Sequence, residues 1–305
     1  MSHRVEPPHP GEAGSALAAI VASARPNQWV KNLLLVVPSI AGHHADLPTL
    51  HLLLLALTSF SLVASGNYIL NDVIDVAADR QHPRKASRPI ASGRVSVGVG
   101  LTVMGFAWTL GLAVAILHLP AAFAVTVGVY LVAASAYSMG LKREPVLDVM
   151  LLAGFYVLRV VAGGAATGIR VSAWLLAFTL FVCLSVAFLK RFIEVHDTPD
   201  GPATPVPGRG YLTSDAMWLH ATGIASAYLS VVVLAIYTNS PDVSLLYERP
   251  ERLLLLCPVL LYAATRVWML AHRRRLHDDP VIALTQDPVT YVVGLLSAAI
   301  VWAAA

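Results

Sequence analysis

Charge is what this chain has least of. Only 13% of its 305 residues are Asp, Glu, Lys or Arg, 57% are hydrophobic, and the mean hydropathy is +0.68, against roughly 25% charge in an average soluble domain. That scarcity excludes an ordinary soluble fold, and no nucleic-acid partner is expected. Cysteine is nearly absent too: Cys183 and Cys257 each lie in an apolar run without a CxxC or Cys/His neighbour. They fit buried small hydrophobes better than a thiolate metal site or a disulfide framework. No alternating ten-residue strand pattern is present, which argues against a membrane barrel. The opening stretch MSHRVEPPHPGEAGSA lacks an apolar segment beside a cleavage site and does not look like a cleaved signal peptide. That stretch is expected to be disordered, within a cytoplasmic N-terminal tail at residues 1–24 that has an interfacial helix at Ala16 to Ala24 as an option, and residues 25–305 are expected as one transmembrane domain.

What the chain does have is long apolar runs, mostly about 17 to 24 residues, the length at which a helix crosses hydrocarbon. In lipid every backbone amide must be satisfied within its own segment, so the expectation is an all-α, polytopic membrane bundle. Nine spans are predicted, at 28–43, 50–71, 96–117, 120–139, 146–168, 173–194, 215–238, 252–271 and 288–304. Lysine and arginine are distributed unevenly around them. With the N terminus inside, 16 of the 21 fall in cytoplasmic segments and span ends, and only Arg170, Arg249 and Arg252 fall outside, with Arg159 and Arg266 within spans. The positive-inside rule then puts the N terminus in the cytoplasm and, for an odd number of spans, the C terminus outside a cell (inner) membrane.

The dense polar clusters share that cytoplasmic side: RPNQWVKN, NDVIDVAADRQHPRKASRPIASG, YSMGLKREPVLD and KRFIEVHD. A transporter more often carries polar groups at the bilayer midplane, between internal repeats, and no repeat is visible. The pattern favours a one-sided site fed with a water-soluble, anionic reactant. At 100° per residue, Asn71, Asp72, Asp75 and Asp79 fall in a sector of about 100° on a helix. Carboxylates that close repel unless a cation sits among them, and hard oxygen donors at a membrane surface suit Mg²⁺ shared with substrate phosphates. A solvated helix end is the alternative. Between Pro83 and Pro89 follow Arg84, Lys85 and Arg88, suited to gripping the same diphosphate; a positive-inside anchor would explain these cations but not the aspartates beside them.

In KRFIEVHD, Lys190, Arg191, Glu194 and Asp197 share another sector, with Glu194 either orienting Lys190 or forming a plain i,i+4 pair with it. Tyr137, Lys142 and Asp148 fall at the junction of the fourth and fifth spans, and Arg25 and Lys31 flank the start of the first. Arg159 lies in an otherwise apolar helix, where a charge costs several kcal/mol unless it faces a wet or paired interior; the floor of a cavity and structural pairing both satisfy that. Arg266 lies near enough to a span end to snorkel. His43, His44 and Asp46 are expected as loop polarity, and HRRRLHDD at 272–279 as a headgroup anchor.

NDVIDVAADRQHP matches the NDxxDxxxD signature of the UbiA superfamily of intramembrane prenyltransferases, and the similarity runs from about Arg25 to the last span, which implies that residues 25–305 form a UbiA-like catalytic domain. RPNQWVKNLLLVVP, LDVMLLAGFYVLRVVAGG, FLKRFIEV and RGYLTSD followed by DDPVIAL resemble the branch of decaprenyl-phosphate phosphoribosyltransferases. The resemblance implies transfer of 5-phosphoribose from phosphoribosyl diphosphate (PRPP) to a polyprenyl phosphate with release of diphosphate. That product is a lipid precursor of arabinose donors, and rhizobial relatives are linked to arabinosylated nodulation factors. It implies Mg²⁺ on Asp72, Asp75 and Asp79, catalytic roles for Asp72, Asp75, Lys190 and Arg191, and a homo-oligomer such as a trimer. Substrate contacts would come from Arg25, Lys31, Asn71, Arg84, Lys85, Arg88, Tyr137, Lys142, Asp148, Arg159 and Glu194. Quinone-type members carry a second aspartate-rich motif for a second metal; here KRFIEVHD has two cations with Glu194 and Asp197, which suits a reaction with more phosphate to hold, although those two acids could still hold a metal. Prenyl transfer to an aromatic acceptor and transport of an anionic lipid are the alternatives.

Overall fold

Polar caps and prolines decide where the helices of this chain begin. In a computed structural model, which describes residues 10–81, 85–198, 203–206, 208–241, 243–276 and 279–305, all named elements are helical. Arg4, Pro83 and Arg84, and His277 and Asp278 of the 272–279 run, lie outside the described residues. Asp46 starts α3 (Leu47–Ile74) by accepting the Thr49 N–H at 2.9 Å. Ser96 and Ser172 do the same for α5 (Val97–His118) and α8 (Ala173–His196). A side-chain oxygen at this position satisfies one of the helix's unpaired donors, typically contributing about 1 kcal/mol.

Ahead of them lie α1 (Pro10–Ala24), a 3₁₀ helix at Pro26–Val36 and α2 (Val37–Ala41). The short α4 (Val76–Gln81) follows α3. Next come α6 (Ala121–Met139) and α7 (Leu147–Thr167), then α9 (Ala216–Tyr237) and α10 (Leu256–His272), and last α11 (Pro280–Leu284) and α12 (Pro288–Ala304).

Among the described residues seven helical segments are long and apolar enough to cross a membrane, and α12, with 17 residues, is shorter. The predicted count of nine is therefore not reproduced by length. The first predicted span is a composite: Pro38 has no N–H to offer Leu34, the Leu34 carbonyl is taken by Val37 N–H instead, and the tighter winding persists up to that point. The disorder expected up to Ala16 needs correction from Pro10 onward, where the chain is helical; the optional helix at Ala16 to Ala24 is present as the second half of α1, and its Ala19 packs with Ile69, Ile90 and Val95.

Short connections make successive long helices antiparallel. The C-terminal ends of α3, α6, α8 and α10 therefore meet the N-terminal ends of α5, α7, α9 and α12 at one end of the bundle, where the polar clusters lie. Two apolar cores support that end. Phe60, Val63, Phe123, Tyr130 and Phe155 join α3, α6 and α7, while Phe188, Phe192, Leu219 and Trp268 join α8, α9 and α10. Close packing of the composite first span against α7 depends on Gly163, where a Cβ would stand 1.9 Å from the Leu35 carbonyl oxygen. Gly163→Ala is expected to destabilise the protein by about 1–3 kcal/mol, read as a lower unfolding temperature in detergent. Gly154→Ala on the same helix, where a Cβ meets nothing within 4 Å, should leave that temperature unchanged or higher.

Candidate active site

The aspartate-rich turn is built where α3 stops. Asp75 caps α3 with a non-helical backbone before α4 resumes, so the four polar residues do not ride one unbroken helix. Asp72 and Asp79 stay together and Asp75 turns elsewhere. One Arg88 nitrogen, Nη1, lies 3.1 Å from Asp72 Oδ1 and 2.6 Å from Asp79 Oδ2, and Arg25 Nη2 reaches Asp72 Oδ1 at 2.5 Å. Asp72 and Asp79 are almost wholly buried, so their charges rely on these guanidinium groups. Asp75 instead receives Lys142 Nζ at 2.6 Å, and Asn71 Oδ1 takes a third contact from the same ammonium at 3.1 Å. Burial pulls Lys142 below lysine's ordinary range, and Asp75 restores only part of the shift. Burial likewise lowers Lys85, against the field of Glu194.

A second limb joins α6, α7 and α8. Val146, at φ 68°, forms a positive-φ γ-turn closed by Leu147 N–H to the Pro145 carbonyl at 2.8 Å, and the Tyr211 hydroxyl accepts the Val146 N–H at 3.0 Å. This conformation is costly for a β-branched residue. It aims the first turn of α7 inward, where Asp148 and Arg191 are both 0% exposed. Arg191 Nε stands 2.6 Å from Asp148 Oδ2, its Nη2 donates to Oδ1 at 3.0 Å, and the Tyr137 hydroxyl donates to Oδ1 at 2.7 Å. Arg191 also pairs with Glu194, which Arg209 Nε approaches at 3.4 Å. Glu194 is thus held by arginines, and the predicted Lys190–Glu194 pair does not form because three residues along a helix bring Arg191 closer.

Lys190 turns instead to Asp279, at 3.4 Å, where Lys31 Nζ lies 2.5 Å from the same oxygen. Sequence reasoning missed Asp279 and Arg209. Both fall in loops, Asp279 lies 248 and 89 residues from Lys31 and Lys190 and Arg209 lies 15 residues beyond Glu194, and Asp279 falls in the run expected as a headgroup anchor. The available signal was the DDPVIAL motif itself, since Asp279 precedes Pro280 as an N-cap and accepts the Val281 N–H at 3.1 Å. Burial alone would raise the Asp279 carboxyl, but Lys190 and Lys31 outweigh it and hold it well below the usual carboxylate range.

Among the described residues Arg159 has no carboxylate partner. Its guanidinium donates to Asn32 Oδ1 at 2.8 Å, the Phe155 carbonyl at 2.6 Å and the Tyr130 hydroxyl at 3.3 Å, and lies 4.9 to 5.8 Å from the ring centres of Phe60, Tyr130 and Tyr156. Aromatic faces supply the counter-field a charge needs away from water. Arg266 does not snorkel freely but pairs with Asp287 at 2.5 Å.

Comparison with known proteins now adds to the geometry. The sequence profile of the UbiA prenyltransferase family matches residues 32–281. The chain belongs to the UbiA prenyltransferase family. It is 34% identical over 269 residues to the nodulation protein NoeC of Azorhizobium caulinodans, an alignment covering 87% of this chain and 86% of that one. It is 35% identical over 278 residues to an uncharacterized protein of Sinorhizobium fredii, covering 90% of this chain and 53% of the other. With the decaprenyl-phosphate phosphoribosyltransferase of Mycobacterium tuberculosis it shares 38% identity over 193 residues, 59% of this chain and 61% of that enzyme. The chain thus spans about half the length of the Sinorhizobium protein and about three fifths of the mycobacterial enzyme. A UbiA homologue from Archaeoglobus fulgidus, solved with DMAPP and Mg²⁺, superposes with a TM-score of 0.68 at 19% identity, covering 92% of this chain and 96% of that one. The fold is therefore the UbiA fold, in a multi-pass membrane protein.

A divalent ion suits part of this donor set. Among the described residues no three acidic, histidine or cysteine side chains already converge on one point. Asp72 and Asp79, however, aim oxygens at a single Arg88 nitrogen, which marks a position where two carboxylates accept a cation. Hard oxygen donors of this kind fit Mg²⁺, with further oxygens from a phosphate.

Two outcomes are expected. Removing one partner of the Asp148–Arg191 pair strands a buried charge, so Asp148→Ala should cost about 3 kcal/mol or more in unfolding free energy, measured in detergent, with Tyr137→Phe costing about 1 kcal/mol. Because Asp279 is held below its unfolded value of about 3.9, its contribution is full above that pH and drains away as pH falls through the depressed folded value. The stability gap between wild type and Asp279→Asn should therefore shrink on acidification.

Proposed function

We propose that this UbiA-family transferase moves 5-phosphoribose from PRPP to the phosphate of a decaprenyl-type polyprenyl lipid, releasing diphosphate. One observation carries the proposal: the limb facing the aspartates presents cations instead of a second carboxylate cluster, since Glu194 is already taken by Arg191 and Arg209. The linked ion pairs and Lys85 bring eight cations against six carboxylates among the described residues. The excess positive charge suits a reaction with three phosphate-bearing groups: the diphosphate, the ribose 5-phosphate and the lipid phosphate.

In this reading Asp72 and Asp79, with Asp75 and Asn71 beside them, would hold Mg²⁺, which when bound neutralises charge building on the diphosphate leaving group. Arg25 and Arg88 pass from their carboxylates to phosphate oxygens, joined by Lys85 and Lys142, as ready donors that need little reorganisation; Arg84 is assigned to the same phosphates from its sequence position alone. The lipid phosphate oxygen forms a bond to ribose C1 as the C1–O bond to diphosphate breaks. That oxygen is anionic near neutral pH and needs no general base. Lys190 and Arg191 supply positive potential on the opposite side, with Asp148 and Tyr137 fixing the Arg191 plane. Arg159 sets the potential at the floor.

The site end would face the cytoplasm of an inner membrane, with the N terminus inside and the C terminus outside, because lysine and arginine concentrate there. The product would supply a lipid-linked pentose for arabinosylation of a surface glycan or glycolipid, a nodulation factor being one such target given the name of the Azorhizobium relative.

Purified protein given labelled PRPP with decaprenyl phosphate, and separately a prenyl diphosphate with 4-hydroxybenzoate, each with and without Mg²⁺, tests the reading. Label should appear in the lipid, only with the metal, and Asp72→Asn should reduce turnover by roughly 10²- to 10³-fold, the scale for losing a charge-stabilising group. Label confined to the aromatic product would replace this function with prenyl transfer.

A further inference from the structure

Lys31 and Lys190 come from elements 159 residues apart in sequence, yet one carboxylate oxygen, Asp279 Oδ2, holds both ammonium groups, at 2.5 and 3.4 Å. Among the described residues Asp279 is the only carboxylate within ion-pair distance of either ammonium, so two cations share one anion there. A phosphate monoester, carrying about −1.5 to −2 near neutral pH, would match the lysine pair better than the carboxylate does. Asp279 also lies in the wall of a cavity of about 740 Å³ between the start of the first span, α10, α11 and the start of α12. That cavity is amphiphilic, with Gln28, Arg266 and Arg275 beside Leu270, Leu276 and Ile282. Its volume lies in the range of sites that enclose a small ligand. Its mixed lining fits a molecule with an anionic head and an apolar tail.

Resting on the phosphoribosyl reading, we propose that Lys31 and Lys190 are the seat for the phosphate of the lipid acceptor, and that Asp279 fills this seat in the ligand-free protein and is displaced by the incoming head group. Asp279 is then a positioning and specificity residue. A neutral lipid such as a polyprenol cannot compete for the lysines, so it is refused, while a lipid phosphate monoester replaces the carboxylate with a stronger acceptor. The Asp279 side chain is partly exposed on the cavity side, so when displaced it can remain in contact with water.

The test measures binding of farnesyl phosphate, farnesol, ribose 5-phosphate and PRPP to the full chain in detergent. Farnesyl phosphate should bind wild type and farnesol should bind at least about tenfold more weakly. Asp279→Asn, which removes the competitor, should tighten farnesyl phosphate by about tenfold, a change of about 1.4 kcal/mol, and leave ribose 5-phosphate and PRPP unchanged. Lys31→Gln should weaken farnesyl phosphate by a similar factor. Unfolding temperatures report whether each variant is folded. If Asp279→Asn does not fold, Asp279→Glu and Lys31→Gln carry the test, since a longer carboxylate arm should also alter farnesyl phosphate affinity without altering PRPP. Farnesyl phosphate affinity that is unaltered or weaker in Asp279→Asn overturns the proposal. So does an Asp279→Asn effect confined to ribose 5-phosphate or PRPP, which would give the seat to the donor. Failure of PRPP to bind wild type, with the farnesyl phosphate pattern intact, would leave the seat standing and remove the phosphoribosyl reading instead.

Discussion

A charge that leaves water must find a counter-charge or an equivalent field, and that requirement organises one whole end of this bundle. Asp72, Asp79, Asp148 and Arg191 are all buried, and none is left to stand alone. The pairs connect elements that no apolar packing alone would align so closely: the segment before the first span with α3, α6 with α7 and α8, and the first span and α8 with the loop ahead of α11. The apolar cores hold the helices at the right spacing, and the ion pairs fix rotation and depth. Arg159 meets the same constraint differently, with amide, carbonyl and aromatic partners in place of a carboxylate.

Such an arrangement also suits function. Under the proposed function, replacing a carboxylate by a phosphate oxygen at the same arginine or lysine changes the partner and keeps the charge balance, so no cation is left stranded. The two limbs differ in how free they are to do this. Arg191 is locked by Asp148, Tyr137 and Glu194 in a fully buried setting, which favours a fixed electrostatic role. Arg25, Arg88 and Lys190 are partly exposed, which favours exchange of partners.

Much of the fold was legible in the residues. Long apolar runs marked α3, α5 and α8 because lipid forces each segment to satisfy its own backbone, and the clustering of lysine and arginine beside particular span ends marked the shared polar end, whereas the capping roles of Asp46, Ser96 and Ser172 came from the structure. The composite winding of the first span was not legible because hydropathy does not register the missing N–H of Pro38. The aspartate sector was read as continuous because helical periodicity assumes that the helix continues, whereas α3 ends at Ile74 and the backbone changes at Asp75.

The sequence by itself determined that this is a helical membrane protein with its polar clusters gathered at one end, and the NDVIDVAAD stretch marked one of those clusters and the family. The helices and the clusters follow from local physics: transfer of side chains to hydrocarbon, and short-range helical geometry. Only the tertiary structure decided which cation serves which carboxylate. Lys190 leaves Glu194 for Asp279, Arg209 joins Glu194 from a loop, and Arg88 unites Asp72 with Asp79. Ion pairing falls with distance in space and is blind to distance along the chain, so partners separated by 89 or 248 residues become visible only once the helices are packed.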